Sequence, residues 1–256
     1  MPDIHSTAVV SPNAVVADGV VIGPLSVVDD EVTIGPGTTV GPHVHLTGRT
    51  TIGTNCRIHH GGSVGGSPQT DPATDDPGRV AIGDDVTIRE GVTINSSSES
   101  DGVTTVGSGT MMMALCHVGH DAKVGENVTL ANGATLGGHV VVGESVGISA
   151  MVPVHQWCRI GAHAYIGGGF RVVKDVPPFI LAAGEPLRSV GLNLVGLRRC
   201  GFDEARIKAL KKLYRLFFRS DLNTSQALDA LSDWPDSPDN RQFAEFVKNA
   251  TRGIIK

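Results

Sequence analysis

A prism of stacked β-coils followed by a small helical domain is the fold this sequence predicts. An aliphatic side chain at every sixth position through most of the chain points to the first part. Adjacent prolines after Val172, then apolar residues at helical spacing, point to the second. Composition agrees: 33 of 256 residues are glycine and only 4% are aromatic. Glycine makes up about 7% of an ordinary protein.

Counting by six from Ile4 gives Val10, Val16, Ile22, Val28, Ile34, Val40, Leu46, Ile52, Ile58 and Val64. The phase lapses between Gly65 and Ala81, returns at Ile82, Ile88 and Ile94, and lapses again over Asn95–Thr105. It then runs unbroken from Val106 through Met112, Val118, Val124, Leu130, Leu136, Val142, Ile148, Val154, Ile160 and Ile166 to Val172. A period of six does not fit one amphipathic helix at 3.6 residues per turn. It fits short strands joined by tight corners, each sending one aliphatic side chain inward, the pattern of a parallel β-helix. Independent hairpins have no reason to keep one phase across two lapses. Three strands per turn close a triangle, so a coil takes about 18 residues. The lapses read as loops near 65–81 and 95–105 that leave the prism at a corner.

VKDVPPFILAAGEP then reads as an exit segment. In GFDEARIKALKKLYRLFFRS, residues Ile207, Leu210, Leu213, Tyr214 and Phe217 share a helical face and Asp203 suits the N-cap. Shorter helices are expected near Thr224–Ser232 and Pro238–Ala250. The expected division is 1–180 for the prism and 181–256 for the helical domain.

A net charge of −5 and a pI near 6.0 argue against general nucleic-acid binding. Cys56, Cys116, Cys158 and Cys200 show no CxxC pair, so reduced thiols in a cytoplasmic protein are expected. No signal peptide is read in MPDIHSTAVVSPNAVV, and no apolar run approaches the roughly 18 residues of a membrane span.

CHVGHDAKVGENVTLANGATLGGHV carries three histidines, one followed by an aspartate. Positions 18 apart stack on successive coils, so His120, Gly138 and Gln156 form a column. His139 lies one residue past that column, His155 one before it, and His117 just ahead of the same corner. Solvated corner residues would account for histidines here. Asp121 beside His120 is the partner a general-base histidine uses to fix its tautomer. Zinc is a further use of clustered imidazoles, but HxxH stands here without a thiolate pair or HExxH. No metal or cofactor is expected.

The segments CHVGHDAKVGENVTLANGATLGGHV, VPVHQWCRIGAHAYIGGGFRVVKDVPPFILAAGEP and GLRRCGF resemble the acyl carrier protein-dependent UDP-N-acetylglucosamine 3-O-acyltransferases, which begin lipid A synthesis. The resemblance covers the whole chain. It implies that the parallel β-helix is left-handed and that the helical tail is the family's C-terminal domain. It implies an acyltransferase moving an acyl or 3-hydroxyacyl chain from an acyl carrier protein thioester to a sugar 3-hydroxyl. On that resemblance His120 is the general base, Asp121 its orienting carboxylate, and Gly138 offers its N–H to the thioester oxygen. His117, His139 and Gln156 match positions around sugar and diphosphate, and Asn132 and His155 further pocket residues. Gly168 matches a position that sets acyl length, where glycine admits longer chains. Asn193 and Arg199 match residues that reach the nucleotide from a neighbouring subunit.

The chain also departs from the family's pattern. A QDLKY-like loop is here Gln69-Thr70-Asp71-Pro72-Ala73, keeping Gln69 but placing Thr70 and Pro72 where acidic and lysine side chains are usual. NIEGLKRRGF becomes NLVGLRRCGF, which brings in Val195 and Cys200, and IHRGT becomes INSSS. Losing one charged phosphate contact weakens binding by about 1.5–3 kcal/mol. Three readings stand: the lipid A acyltransferase, a relative with the same chemistry on another acceptor, and a non-catalytic or zinc-binding trimer.

Two partner expectations complete the reading. A prism with flat faces packs on copies of itself around a three-fold axis, giving a homotrimer with sites between subunits. Between Arg188 and Arg219 lie Arg188, Arg198, Arg199, Arg206, Lys208, Lys211, Lys212, Arg215 and Arg219, opposed only by Asp203 and Glu204. Such a strip would steer an acidic acyl carrier protein.

Overall fold

A computed structural model describes residues 1–256. Short strands, most of two residues, follow one another into three parallel sheets. The first face starts at Asp3–Ile4 and gathers 11 strands; the second and third start at Val9–Val10 and Val15–Val16 and gather 8 each. Each strand pairs with the one a full coil later, Thr129 with Gly147 and Leu130 with Ile148. The architecture is a left-handed parallel β-helix with a helical domain at its C-terminal end.

Successive residues of a strand point to opposite sides. In each two-residue strand the second side chain therefore turns into the prism, and Met112, Val118, Leu130 and Leu136 are fully buried. The small residue four places later also turns in: Cys116, Ala122 and Ala134 fill the corners. The coils satisfy their own backbone groups. His117 N–H donates to Ala134 O at 3.0 Å and Lys123 N–H to Val140 O at 2.8 Å. Most corners turn through a residue at left-handed φ. Glycine and asparagine take that conformation readily, as Gly133 (φ 69°) and Asn127 (φ 55°) do.

The two loops, 67–78 and 96–102, both leave from the corner that joins the second face to the third. Past the last full coil, Ile180–Ala183 extends the first sheet in parallel and Arg188–Leu192 folds back on it antiparallel. Helices α1 (Leu194–Arg199), α2 (Glu204–Phe218), α3 (Thr224–Ser232) and α4 (Pro238–Lys248) follow. Asp203 caps α2 by accepting from Arg206 N–H at 2.7 Å, and α2 buries Ile207, Leu210, Leu213 and Phe217. The chain end returns to the prism, where buried Asp175 takes Arg159 N–H at 2.8 Å and Ile254 bridges to it. No helix is long and apolar enough to cross a membrane. Cys56, Cys116 and Cys158 are buried and Cys200 exposed, all with free thiols.

Candidate active site

The strand His117–Val118 lies on the second face and Lys123–Val124 on the third. Val118 and Ala122 are buried in the prism, so the corner between them leaves His120 and Asp121 on the outside. Asp121 occupies the left-handed position of this corner, φ 62°. His120 Nδ1 meets the Asp121 carboxylate at 2.8 Å. With that nitrogen donating to the carboxylate, Nε2 is the bare, basic one. On the next coil Gly138 is buried against it: a Cβ there would lie 2.5 Å from His120 Nε2.

The carboxylate accepts more than one bond. Ser98 Oγ donates at 2.6 Å and Ser98 N–H at 3.1 Å, Ser97 Oγ donates to the other oxygen, and Asp121's own N–H donates to Thr104 Oγ1 at 2.8 Å. Burial works against the charge, but the hydrogen bonds from Ser97, Ser98 and His120 outweigh it and hold the carboxyl down to about 2. A negative charge therefore stands beside His120 at any working pH.

The other histidines differ in setting. His117 stands on the second face, its Nδ1 2.8 Å from Thr93 Oγ1. Burial first, and the nearby His120 second, push its pKa below the usual imidazole value, so it is neutral at neutral pH. His139 shares the left-handed corner position (φ 59°), with its Nε2 3.6 Å from Asp121. It lies edge-on to His120 at 5.2 Å and stacks on Trp157 at 3.7 Å. His155 and Gln156 are exposed, the ring donating to the Gln156 carbonyl at 2.9 Å, and neither touches the pair. Asn132 and Gly168 lie on the corner joining the first face to the second, at the other edge of the face that carries His117. Gln69 is exposed on the first of the two loops.

Asn193 and Arg199 stand elsewhere. Asn193 caps α1, accepting from Gly196 N–H at 3.1 Å and donating to His163 O at 2.9 Å. With Arg199, Val195 and Cys200 it lines an open hollow of about 840 Å³ over the first face, beside Tyr165 and Met113. In a triangular section the first face lies opposite the histidine corner. One chain does not bring these two groups together.

His120, Asp121 and His139 offer ligand atoms within 4.8 Å of one another. Both Asp121 oxygens already accept hydrogen bonds and His120 Nδ1 is spent on one of them, so this trio is built as a hydrogen-bonded acid–base group. Sequence reasoning missed Ser97, Ser98 and Trp157. For Ser97 a signal existed. Thr93 pairs with His117, so stacked positions across the second loop differ by 24 rather than 18, which puts Ser97 under Asp121.

A coil of hexapeptide repeats is the architecture of the bacterial hexapeptide transferases, and here one of its corners carries a hydrogen-bonded histidine–aspartate pair. The comparisons narrow the class. Residues 175–255 match the family model for domain 2 of UDP-N-acetylglucosamine O-acyltransferase, and 104–138 the bacterial transferase hexapeptide repeat. The acyl-[acyl-carrier-protein]–UDP-N-acetylglucosamine O-acyltransferase of Burkholderia orbicola is 41% identical over 100% of both chains. The solved UDP-N-acetylglucosamine O-acyltransferase of Moraxella catarrhalis is 36% identical with a TM-score of 0.95, covering 99% of each chain. That of Francisella novicida is also 36% identical, with a TM-score of 0.94 over 98% of this chain and 93% of its own. The chain belongs to the acyl-[acyl-carrier-protein]–UDP-N-acetylglucosamine O-acyltransferase family.

Proposed function

We propose that this chain transfers a 3-hydroxyacyl group from acyl carrier protein to the 3-hydroxyl of UDP-N-acetylglucosamine in the cytoplasm, the first step of lipid A synthesis. The observation that carries the reading is the His120–Asp121 pair with bare Nε2 set against Gly138. Nε2 takes the hydroxyl proton as the oxygen attacks the thioester carbonyl. The oxygen of the tetrahedral intermediate takes a hydrogen bond from Gly138 N–H, the kind of donor worth about 3–4 kcal/mol. Collapse expels the carrier thiolate, which receives the proton from the imidazolium. Asp121 stabilises that imidazolium and keeps the tautomer. His117, His139 and Gln156 hold sugar and diphosphate, and Gln69, Asn132 and His155 line the approach. The free thiols suit a reducing compartment.

A panel of nucleotide sugars against carrier thioesters of graded length tests this. The expected best acceptor is UDP-N-acetylglucosamine, and the expected best donor is a long one, as Gly168 leaves its corner without a side chain. A second reading, the same transfer to another acceptor, is favoured by Val195 and Cys200, which stand in the hollow beside Asn193 and Arg199. Better turnover of a different nucleotide sugar would establish it.

The site is completed in a homotrimer. The corner of one chain stands on its outer surface, while Asn193 and Arg199 line the hollow over the opposite face, so only a neighbouring chain can bring the two together. Sedimentation at three chain masses is expected; a fully active monomer would refute the shared site.

Acyl carrier protein docks on α2. Arg198 and Arg206 are spent on Glu204 and Asp239, whereas Lys208, Lys211, Lys212, Arg215 and Arg219 are exposed without acidic partners. Lys211→Glu with Lys212→Glu should raise KM for the carrier thioester, with little change for the nucleotide sugar. Added salt should raise the wild-type donor KM too, as the Debye length falls from about 10 Å at 0.1 M to 3 Å at 1 M. Equal effects on both substrates would make the strip a plain solvated surface.

A further inference from the structure

We infer that Ser97 and Ser98, on the loop 96–102, are positioning residues for acyl transfer: they hold the Asp121 carboxylate so that His120 presents one tautomer. The inference rests on the reading of His120 and Asp121 as the base and its partner.

Asp121 sits on a corner with its side chain in the space the loop overhangs. Its backbone N–H is fixed by Thr104 Oγ1 at 2.8 Å, but that leaves the carboxylate free to rotate. The loop removes the freedom. Ser97 Oγ holds one oxygen; Ser98 Oγ at 2.6 Å and Ser98 N–H at 3.1 Å hold the other, the same oxygen that meets His120 Nδ1 at 2.8 Å. Ser97 is itself fully buried, and its Oγ also meets Glu99 O and Glu99 N–H, each at 3.1 Å. These bonds leave the carboxylate ionised and purely accepting, so the ring nitrogen facing it must be the protonated one. Nε2 is then bare on the Gly138 side, where the acceptor hydroxyl is placed.

The serines also divide the charge. A carboxylate shared among three further donors offers less of it to an imidazolium than one bonded to His120 alone. The other titratable groups at this corner are His117 and His139. His139 Nε2 lies 3.6 Å from the same carboxylate oxygen that Ser98 holds, so its ring shifts are followed beside those of His120, and Glu99 and Asp101 stand exposed on the loop itself.

The test combines kinetics with a spectroscopic readout. Ser98→Ala should lower kcat for acyl transfer about ten-fold, the usual effect of removing a hydrogen bond to a charged group. The double change Ser97→Ala/Ser98→Ala should lower it further and leave the acceptor KM within about two-fold. In both, the acid limb of the kcat/KM profile should move to higher pH, because the freed carboxylate favours the protonated ring. Ser98→Thr keeps the hydroxyl and should restore turnover and profile. Ring 15N shifts of histidine-labelled protein, assigned by comparison with His120→Ala, should show Nδ1-protonated His120 in the wild type and a mixture of tautomers in the double variant. Unaltered ring shifts and an unmoved acid limb in a folded double variant would overturn the inference. If no acceptor were turned over by the wild type, the functional reading would fall, and the ring shifts would still decide what the serines do to His120.

Discussion

His120→Ala should lower kcat for acyl transfer by about 10²–10⁴-fold, the range general-base catalysis supplies. A sugar hydroxyl is a poor nucleophile until its proton is taken, and His120 Nε2 is the bare nitrogen at this corner. His139 is the nearest substitute, but its Nε2 faces Asp121 at 3.6 Å and its ring is stacked on Trp157. Its Nε2 is thus turned to the carboxylate and is not placed to take the hydroxyl proton. The fold should survive, because the ring lies outside the prism and its removal opens no cavity among the inward aliphatics. Equal melting temperatures with a turnover above a tenth of the wild type would remove His120 from the mechanism.

Gly138→Ala should be almost as damaging although it adds only a methyl group. The new carbon would lie 2.5 Å from His120 Nε2 and 2.6 Å from Cε1, well inside contact distance. The backbone is not at fault, since Gly138 is not among the glycines at left-handed φ. The ring has to move, and with it the bond to Asp121. Loss of about 10²-fold or more in kcat is expected, since small displacements of a catalytic group carry penalties of that order. Single-turnover rates with saturating carrier thioester would measure it. Near-normal rates would mean that the ring relocates without penalty and that close packing here is incidental.

Much of this arrangement is legible in the sequence because a coil converts position into place. Adding 18 carries His120 to Gly138 and then to Gln156, so arithmetic alone gathers the corner. The same arithmetic fails across the second loop, where the offset becomes 24, and Ser97 and Ser98 were therefore read as part of an excursion rather than as partners of Asp121. Trp157 escaped because stacking on His139 depends on side-chain direction, which the period does not encode. The helix α1 has only six residues, too few to display an amphipathic repeat, so its capping residue Asn193 was reached by resemblance instead. That Asn193 and Arg199 stand across the prism from His120 follows from the order of the faces, which the repeat fixes only once the strands are assigned to sheets.

The two ends of the coil stack are finished differently. At the C-terminal end the returning chain and buried Asp175 close the last turn. At the other end the first coil lies bare: the inward-facing Ile4 is 40% exposed, and Val10 and Val16 are only half-buried where later coils bury that position completely. Each coil touches only its neighbours, so stability accumulates along the axis. The molecule should then fray from one end like a rope whipped only at the other. Backbone amides of the opening coils should exchange with solvent soonest and those around residue 120 late, so wear at the tip leaves the chemistry untouched.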